Sequence, residues 1–205
     1  MLFDLGGTLL EYHREEVYRA LLAEKGLEIS SEAIEEAYRL AEPAWNAYAA
    51  SLTSETIWTA EDLATLDKLV LQHLGVENDV DSIAHYVAQN WMRMDRSLPQ
   101  AMVRRAFRDV RPCLEALMSL WVRTGVVSNI PSAQTLDEEL ELIGLRGFFP
   151  VKVASGHVGV QKPSAVIFHF AANQLQLNPR EIMFVGDDYE RDSLGSRAAG
   201  MNPPY

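Results

Sequence analysis

Apolar residues recur in two different rhythms along the chain. At the start, Leu2-Phe3 is a short apolar run that stops at Asp4-Leu5-Gly6-Gly7-Thr8. Two glycines directly after a carboxylate predict a strand ending in a tight loop with exposed backbone. From Tyr12 to Phe107 the spacing is helical almost throughout. Val17, Leu21 and Leu22 give the face of a first helix ending near Gly26. Ser31 is the expected cap of a second, carrying Ile34, Tyr38 and Ala41, with a kink or break at Pro43. Thr59 and Asp62 form a capping-box pattern for a third, with Leu63, Leu66, Val70 and Leu74 on one face and Gly75 closing it. Asp79 or Asp81 is placed to cap a fourth, with Ile83, Val87, Trp91 and Met94 in register. The aromatics on these faces, Tyr38, Trp45, Tyr86 and Trp91, are read as packing residues.

From Asp109 onward, helices alternate with short apolar strands. Pro112 suits the first turn of a helix running through Leu114, Leu117 and Leu120. Gly125-Val126-Val127 leads into Ser128-Asn129. A helix with Leu136, Leu140 and Ile143 stops at Gly144, and Val151 to Ala154 is the next strand. Ala165 to Leu175 is helical, Ile182 to Val185 is a strand ending at Gly186-Asp187-Asp188, and Arg191 to Ala199 reads as a last helix. Such alternation predicts an α/β fold, a Rossmann-like parallel sheet with helices on both faces.

Composition narrows the classes. The chain has 205 residues, 48% hydrophobic and 23% charged, with net charge -11. That is a globular composition, and its acidity argues against nucleic-acid or anionic-membrane partners. One cysteine, Cys113, excludes an internal disulfide and is expected to pack as a small buried hydrophobe. No apolar run reaches the ~20 residues of a membrane span, and Met1-Leu2-Phe3 already reads as strand, not as a secretory leader, so a cytoplasmic location is expected.

In parallel sheets ligands bind beyond the carboxyl ends of the strands. Here those ends carry Asp4, Ser128-Asn129 and Asp187-Asp188. Two carboxylates at neighbouring strand ends suit a hard divalent cation such as Mg²⁺, which prefers oxygen ligands and often bridges protein to phosphate. Asp188 or Asp192 can orient such a site from behind. The backbone amides of the Leu5-Gly6-Gly7 turn can cradle anionic oxygens, and Ser128 and Asn129 offer short donors.

Phe3-Asp4-Leu5-Gly6-Gly7-Thr8-Leu9 resembles the first motif of the haloacid dehalogenase-like hydrolases, in which a hydrophobic residue precedes Asp-x-Asp-Gly-Thr-Leu. Val126 to Asn129 resembles their second motif, Lys162-Pro163 through Phe168 their third, and Gly186-Asp187 through Asp192 their fourth, followed by the Gly195 to Met201 run. The resemblance implies a core domain over 1–11 and 108–205 and an inserted α-helical (C1) cap over 12–107. It implies Mg²⁺-dependent hydrolysis of a small phosphorylated metabolite. Asp4 would be the nucleophile, and Asp4, the Gly6 carbonyl and Asp187 would hold the metal. Ser128 and Lys162 would act on the phosphoryl group, with Leu5, Gly6 and Asn129 beside them. Thr8, Asp188 and Asp192 would support from the second layer. A monomer or homodimer is expected. The short first strand and the stop at Asn202-Pro203-Pro204-Tyr205 suggest a shortened form lacking a last strand and helix.

One position departs from the pattern. The family's second Asp, two residues after the nucleophile, protonates the leaving group and then activates water. Gly6 stands there, with no side chain. The expected consequence is a slow enzyme, one selective for good leaving groups, or one reliant on another acid. The alternative is a catalytically degenerate phosphate-binding or regulatory protein. His13 and Glu11 are the nearest substitutes, and a surface position at a helix start is the simpler reading of both. His73, His85, His157 and His169 lie outside the motifs. Dehalogenation fits poorly because the metal-type fourth motif is present, and carbon–phosphorus cleavage fits poorly because Lys25 and Lys68 sit in no motif. The run Arg93, Arg96, Arg104, Arg105, Arg108, Arg111 is the one basic stretch, read mainly as solvated arginines pairing with surface carboxylates.

Overall fold

The structure, a computed structural model, describes residues 1–51 and 59–202. The residues Pro203-Pro204-Tyr205 that close the sequence lie outside this range. The chain runs β1 (Leu2–Phe3), β2 (Leu10–Tyr12), α1 (Arg14–Ala23), α2 (Ser31–Ser51), α3 (Ala60–His73), α4 (Val80–Ser97), α5 (Gln100–Val103), β3 (Arg104–Ala106), α6 (Val110–Ser119), β4 (Gly125–Ser128), α7 (Ala133–Leu142), β5 (Val151–Ala154), α8 (Ser155–Val158), α9 (Ala165–Leu175), β6 (Phe184–Val185) and α10 (Gly195–Ala198). It divides into two compact units, Met1–Tyr12 with Arg104 onward, and His13–Val103.

The first unit is α/β. Its described strands form a parallel sheet in the order β5-β4-β1-β6. Successive strand residues point to opposite faces. Leu2, Val127, Val153 and Phe184 therefore pack on one side, against Ile167, Phe168, Ala171 and Leu175 of α9. Phe3, Val126 and Ala154 pack on the other, against Val110 and Leu114 of α6 and Leu136 and Leu140 of α7. Both faces are covered, which is why the strands read as unbroken apolar runs. The chain starts in the interior strand β1, adds β4 and β5 on one side and returns to β6 on the other. That reversal opens a crevice at the carboxyl edge.

The second unit is helical. Val17, Leu21, Ile34, Ala41, Val70 and Val87 are buried in a common core. Tyr18 lies within it, edge-on to Tyr38 at 5.5 Å and tilted to Trp91 at 6.4 Å. Tyr86 donates to Glu24 and stacks under Lys25 Nζ at 3.6 Å. These aromatics pack, as their helical spacing predicts.

Several local expectations give way. The helical pattern assigned from Tyr12 to Phe107 ends short on both sides, because β2 and β3 pair antiparallel with Leu10 opposite Ala106 and Tyr12 opposite Arg104. Helix α2 continues through Pro43 without a break. Pro43 is exposed, so water can satisfy the carbonyl one turn earlier. The cap of α2 is Ser30, whose hydroxyl accepts from Ala33 N at 3.3 Å; Ser31 instead donates to Glu16. The Thr59–Asp62 capping box forms as expected. Asp79 takes the N-cap position of α4 with a left-handed backbone and no side-chain cap bond, while Asp81 pairs with Lys68 at 2.7 Å. The buried face of α3 is rotated from the expected one: Ala64, Asp67, Val70 and Leu71 are inside and Leu63 is exposed. Helix α6 stops at Ser119, leaving Leu120 exposed, and Cys113 is exposed as well, because Val110 and Leu114 set the inward face. The expected last helix begins as a π-helical stretch over Tyr189–Leu194 and becomes α10 only at Gly195.

Candidate active site

β1, β4 and β6 deliver their ends to one edge. Asp4 follows β1 directly, its N–H donating to Val185 O at 2.8 Å, so the strand register fixes its backbone. Ser128 ends β4 and is buried. Asp187 follows β6 after Gly186. Lys162 comes from the loop ahead of α9 and is 4% exposed. Its ammonium bridges Asp4 Oδ1 at 2.5 Å and Asp192 Oδ1 at 2.6 Å. Burial pushes the Asp4 carboxyl up to about 6, against the opposing pull of Lys162.

The supporting residues divide their tasks. Both polar atoms of the Asn129 amide are engaged by the backbone of Lys162: Lys162 N donates to Oδ1 at 2.7 Å and Nδ2 donates to Lys162 O at 3.0 Å. Asn129 thus holds Lys162 in place, and it also lines the cavity, with one Nδ2–H beyond the bond to Lys162. Asp192 accepts from Lys162 with one oxygen and from Asp188 N, at 3.2 Å, with the other. A Cβ on Gly186 would fall 2.2 Å from Asp192 Oδ2, so a glycine is needed for that approach. Asp188 caps the π-helical stretch through Arg191 N at 2.7 Å and holds the Arg191 guanidinium at 2.6 Å. Burial raises the Asp188 carboxyl, but the bonds from Arg191 outweigh it and leave the group below the usual carboxylate range.

The first loop contains two glycines with opposite demands. Gly7 has φ +76°, and a Cβ there would lie 2.1 Å from Asp187 Oδ2. Gly6 has no such φ, and a Cβ there would meet nothing within 4 Å. Gly7 N–H goes to Leu10 O at 3.0 Å, so that amide is engaged within the loop. Thr8 Oγ1 reaches Asp187 Oδ1 at 3.4 Å.

Asp4, Asp187 and Asp192 each present an oxygen such that all three lie within 4.8 Å of one another. Hard carboxylate oxygens so close together fit a hard divalent cation. Asp192 is occupied on both oxygens, which leaves Asp4 and Asp187 as the carboxylates for the metal. A cavity of about 190 Å³ opens here, lined by Asp4, Gly6, Ser128, Lys162 and Asp187, and also by Arg191. In the sequence Arg191 reads as the start of the last helix. Its spacing of three from Asp188, one helical turn, was the available signal for the ion pair that turns it to the cavity.

The other candidates fall elsewhere. His13 stands at the start of α1, as expected, with its side chain 21% exposed and Nδ1 2.7 Å from Glu15. Glu11 pairs with Arg105 across the β2–β3 ribbon at 2.5 Å. His85 meets Glu61 at 2.8 Å and His157 packs on Phe170. Within the basic stretch, Arg93 pairs with Glu24 and Arg104 with Glu139; the Arg104 side chain is only 10% exposed and therefore not solvated.

A family model described as haloacid dehalogenase-like hydrolase matches residues 1–200. The chain is 34% identical over 97 residues to a glyceraldehyde 3-phosphate phosphatase of Methanopyrus kandleri, covering 47% of this chain and 41% of that protein. It is 30% identical over 128 residues to haloacid dehalogenase-like hydrolase domain-containing protein 3 of Xenopus laevis, covering 62% of this chain and 50% of that protein. The chain thus spans half or less of the length of these two relatives. Among solved structures, a Bacillus subtilis HAD-hydrolase bound to magnesium superposes with a TM-score of 0.70 at 19% identity, over 98% of this chain and 85% of that one.

Proposed function

We propose a phosphatase, from the premise that the chain belongs to the haloacid dehalogenase-like hydrolases. Its substrate is a small phosphorylated metabolite, the class to which the substrate named for its archaeal relative belongs. The observation that carries the reading is the buried Asp4–Lys162–Asp192 bridge, with Asp187 close by, at the mouth of a sheet crevice. A buried lysine between two carboxylates holds a nucleophile ionised and in place.

Asp4 attacks phosphorus through a carboxylate oxygen, the ester P–O bond breaks with its electron pair on the alcohol oxygen, which takes a proton from water, and the aspartyl-phosphate that forms is hydrolysed by water to phosphate and free Asp4. Lys162 stabilises charge on Asp4 and on the phosphoryl oxygens, and Ser128 donates to them. Asn129 and Asp192 keep Lys162 aimed. Asp4, Asp187 and the Gly6 carbonyl would hold Mg²⁺, which when bound neutralises charge on the phosphoryl group. Thr8 steadies Asp187. The helical unit acts as the cap that selects the substrate.

General acid–base catalysis typically contributes 10²–10⁴-fold, and Gly6 supplies none. The open space at Gly6 means Gly6→Asp can be accommodated. Turnover of alkyl phosphates should rise in that variant by up to this factor. No gain would defeat the missing-acid account. The degenerate reading draws on the same Gly6. Capture of a beryllofluoride or phosphoryl adduct on Asp4, absent in Asp4→Asn, supports the enzyme; absence of any adduct together with no turnover on a metabolite panel supports the degenerate protein.

A further inference from the structure

The cavity holds the parts for moving a phosphoryl group but, among the described residues that line it, none for moving a proton. Gly6 offers no side chain. Asp188 has both carboxylate oxygens taken by Arg191, Oδ1 by the backbone N–H and Oδ2 by the guanidinium Nε, each at 2.7 Å. Asp192 accepts from Lys162 with one oxygen and from Asp188 N with the other. Lys162 directs its ammonium to Asp4 and Asp192, and losing its proton would strand both buried carboxylates. Arginine stays protonated, so Arg191 relays no proton. Asp187 is committed to the metal in this mechanism.

The missing proton weighs differently on different leaving groups. In the loose transition state of phosphoryl transfer, negative charge gathers on the departing oxygen. An alcohol that leaves without a proton becomes an alkoxide, the anion of an acid about as weak as water, near 15.7. A carboxylate is the anion of an acid near ~4 and leaves without help. The lining favours such a group as well. Apart from Gly6, every described lining residue is polar or charged, so an aryl leaving group finds no apolar wall. The volume of about 190 Å³ is below the ~300 Å³ at which pockets enclose drug-sized ligands, so a short substituent fits.

We propose that the substrates of this site are acyl phosphates, the mixed anhydrides of phosphoric and short carboxylic acids, and that it passes the phosphoryl group reversibly between them and Asp4. This rests on the phosphatase reading and names its substrate class. In the first step a carboxylate oxygen of Asp4 bonds to phosphorus. The bond from phosphorus to the acyl oxygen breaks with its electron pair on that oxygen, and a carboxylate leaves. No proton moves. The adduct on Asp4 is itself an acyl phosphate, so one carboxyl–phosphoryl bond replaces another and an added carboxylate reverses the step. Release of phosphate does need a proton transfer. Water attacks phosphorus, the Asp4–phosphorus bond breaks, one proton of the water passes to solvent and the other stays on phosphate. Among the described lining residues no base is open to speed this second step, so it lags behind the first and the adduct accumulates.

The test uses the full chain with Mg²⁺ and two donors of similar size, acetyl phosphate and ethyl phosphate. With acetyl phosphate and radiolabelled acetate, wild type should move label into acetyl phosphate faster than it releases phosphate, and Asp4→Asn should do neither. The ratio of kcat/KM for acetyl over ethyl phosphate should fall by about 10²-fold or more in Gly6→Asp, the low end of a general-acid contribution. Exchange should also lose ground to phosphate release in that variant, because a carboxylate at position 6 supplies the missing base. Across aryl phosphates of graded leaving-group acidity, log kcat/KM should fall steeply with leaving-group pKa in wild type and flatten in Gly6→Asp. Phosphate release from acetyl phosphate by wild type with no label exchange overturns the inference and leaves the phosphatase intact. So does an acetyl-to-ethyl ratio that Gly6→Asp leaves unchanged while it still forms the adduct. Absence of turnover on either donor, with no phosphoryl or beryllofluoride adduct on Asp4, removes the phosphatase reading and this inference with it.

Discussion

Asp4 of the α/β unit is 7% exposed and Asp67 of the helical unit 5%. Burial raises both, yet they reach different ends. Asp4 has Lys162 at 2.5 Å and stays near 6, so it is mostly ionised at neutral pH. Asp67 has burial alone acting on it and rises to about 8, so it is mostly neutral there. A buried carboxylate beside a buried cation keeps its charge; one without such a cation surrenders it. The acidic residue alone does not reveal which it is. The counter-charge does.

The contrast can be broken most sharply at Lys162. Lys162→Met leaves Asp4 and Asp192 buried without their cation, and should cost about 3–5 kcal/mol in urea denaturation under EDTA. A loss below ~1 kcal/mol would show that the bridge is not the buried pair described. Asp67 offers the opposite test. Its folded pKa lies above the ordinary 3.8, so the native state keeps a proton that the unfolded chain gives up. Stability from the helical unit should fall as pH rises from about 4 to 8, by a few kcal/mol. Asp67→Asn should flatten that slope in denaturation measured across this range, and an unchanged slope would remove Asp67 from the account.

The two glycines sharpen the comparison within the site itself. Gly7→Ala forces a left-handed alanine against Asp187 and should cost about 1–2 kcal/mol from the backbone conformation alone. Calorimetric Mg²⁺ titration should also show weakened affinity. Gly6→Ala should leave stability unchanged, and similar behaviour of the two would contradict the geometry. The smallest effect is expected at Thr59, where Thr59→Ala should lose about 1 kcal/mol of helix capping without altering adduct formation on Asp4.

Much of this was legible beforehand because the sheet is regular. Each apolar run with a polar end became a strand pointing its polar end to one edge, and the motif carboxylates came with it. What was not legible depended on rotation or on distance along the chain. Asp67 could have been seen on the inward face only with α3 turned so that Ala64 and Leu71 lead, and Leu63 and Leu66 made the other phase look better. Cys113 was misread for the same reason. The ribbon strands β2 and β3 are three residues each, too short to show a period beside long helices, and Arg104 and Arg105 look like surface charge until Glu139 and Glu11 are found opposite them. The tie of Asn129 to Lys162, 33 residues away, has no local signature in the sequence.

The ribbon has a further meaning. Tyr12 and Arg104 face each other as a strand pair, so the chain leaves and re-enters the α/β unit at neighbouring points. Ninety-one residues, His13–Val103, are enclosed between them like a clause in brackets. Among the described residues, the pairing of the parallel sheet joins β1, β4, β5 and β6 alone. A short hairpin turn could close the same gap. The ribbon thus makes the helical segment an interchangeable part: one insert can be exchanged for another of different length while Asp4, Lys162 and Asp187 keep their register.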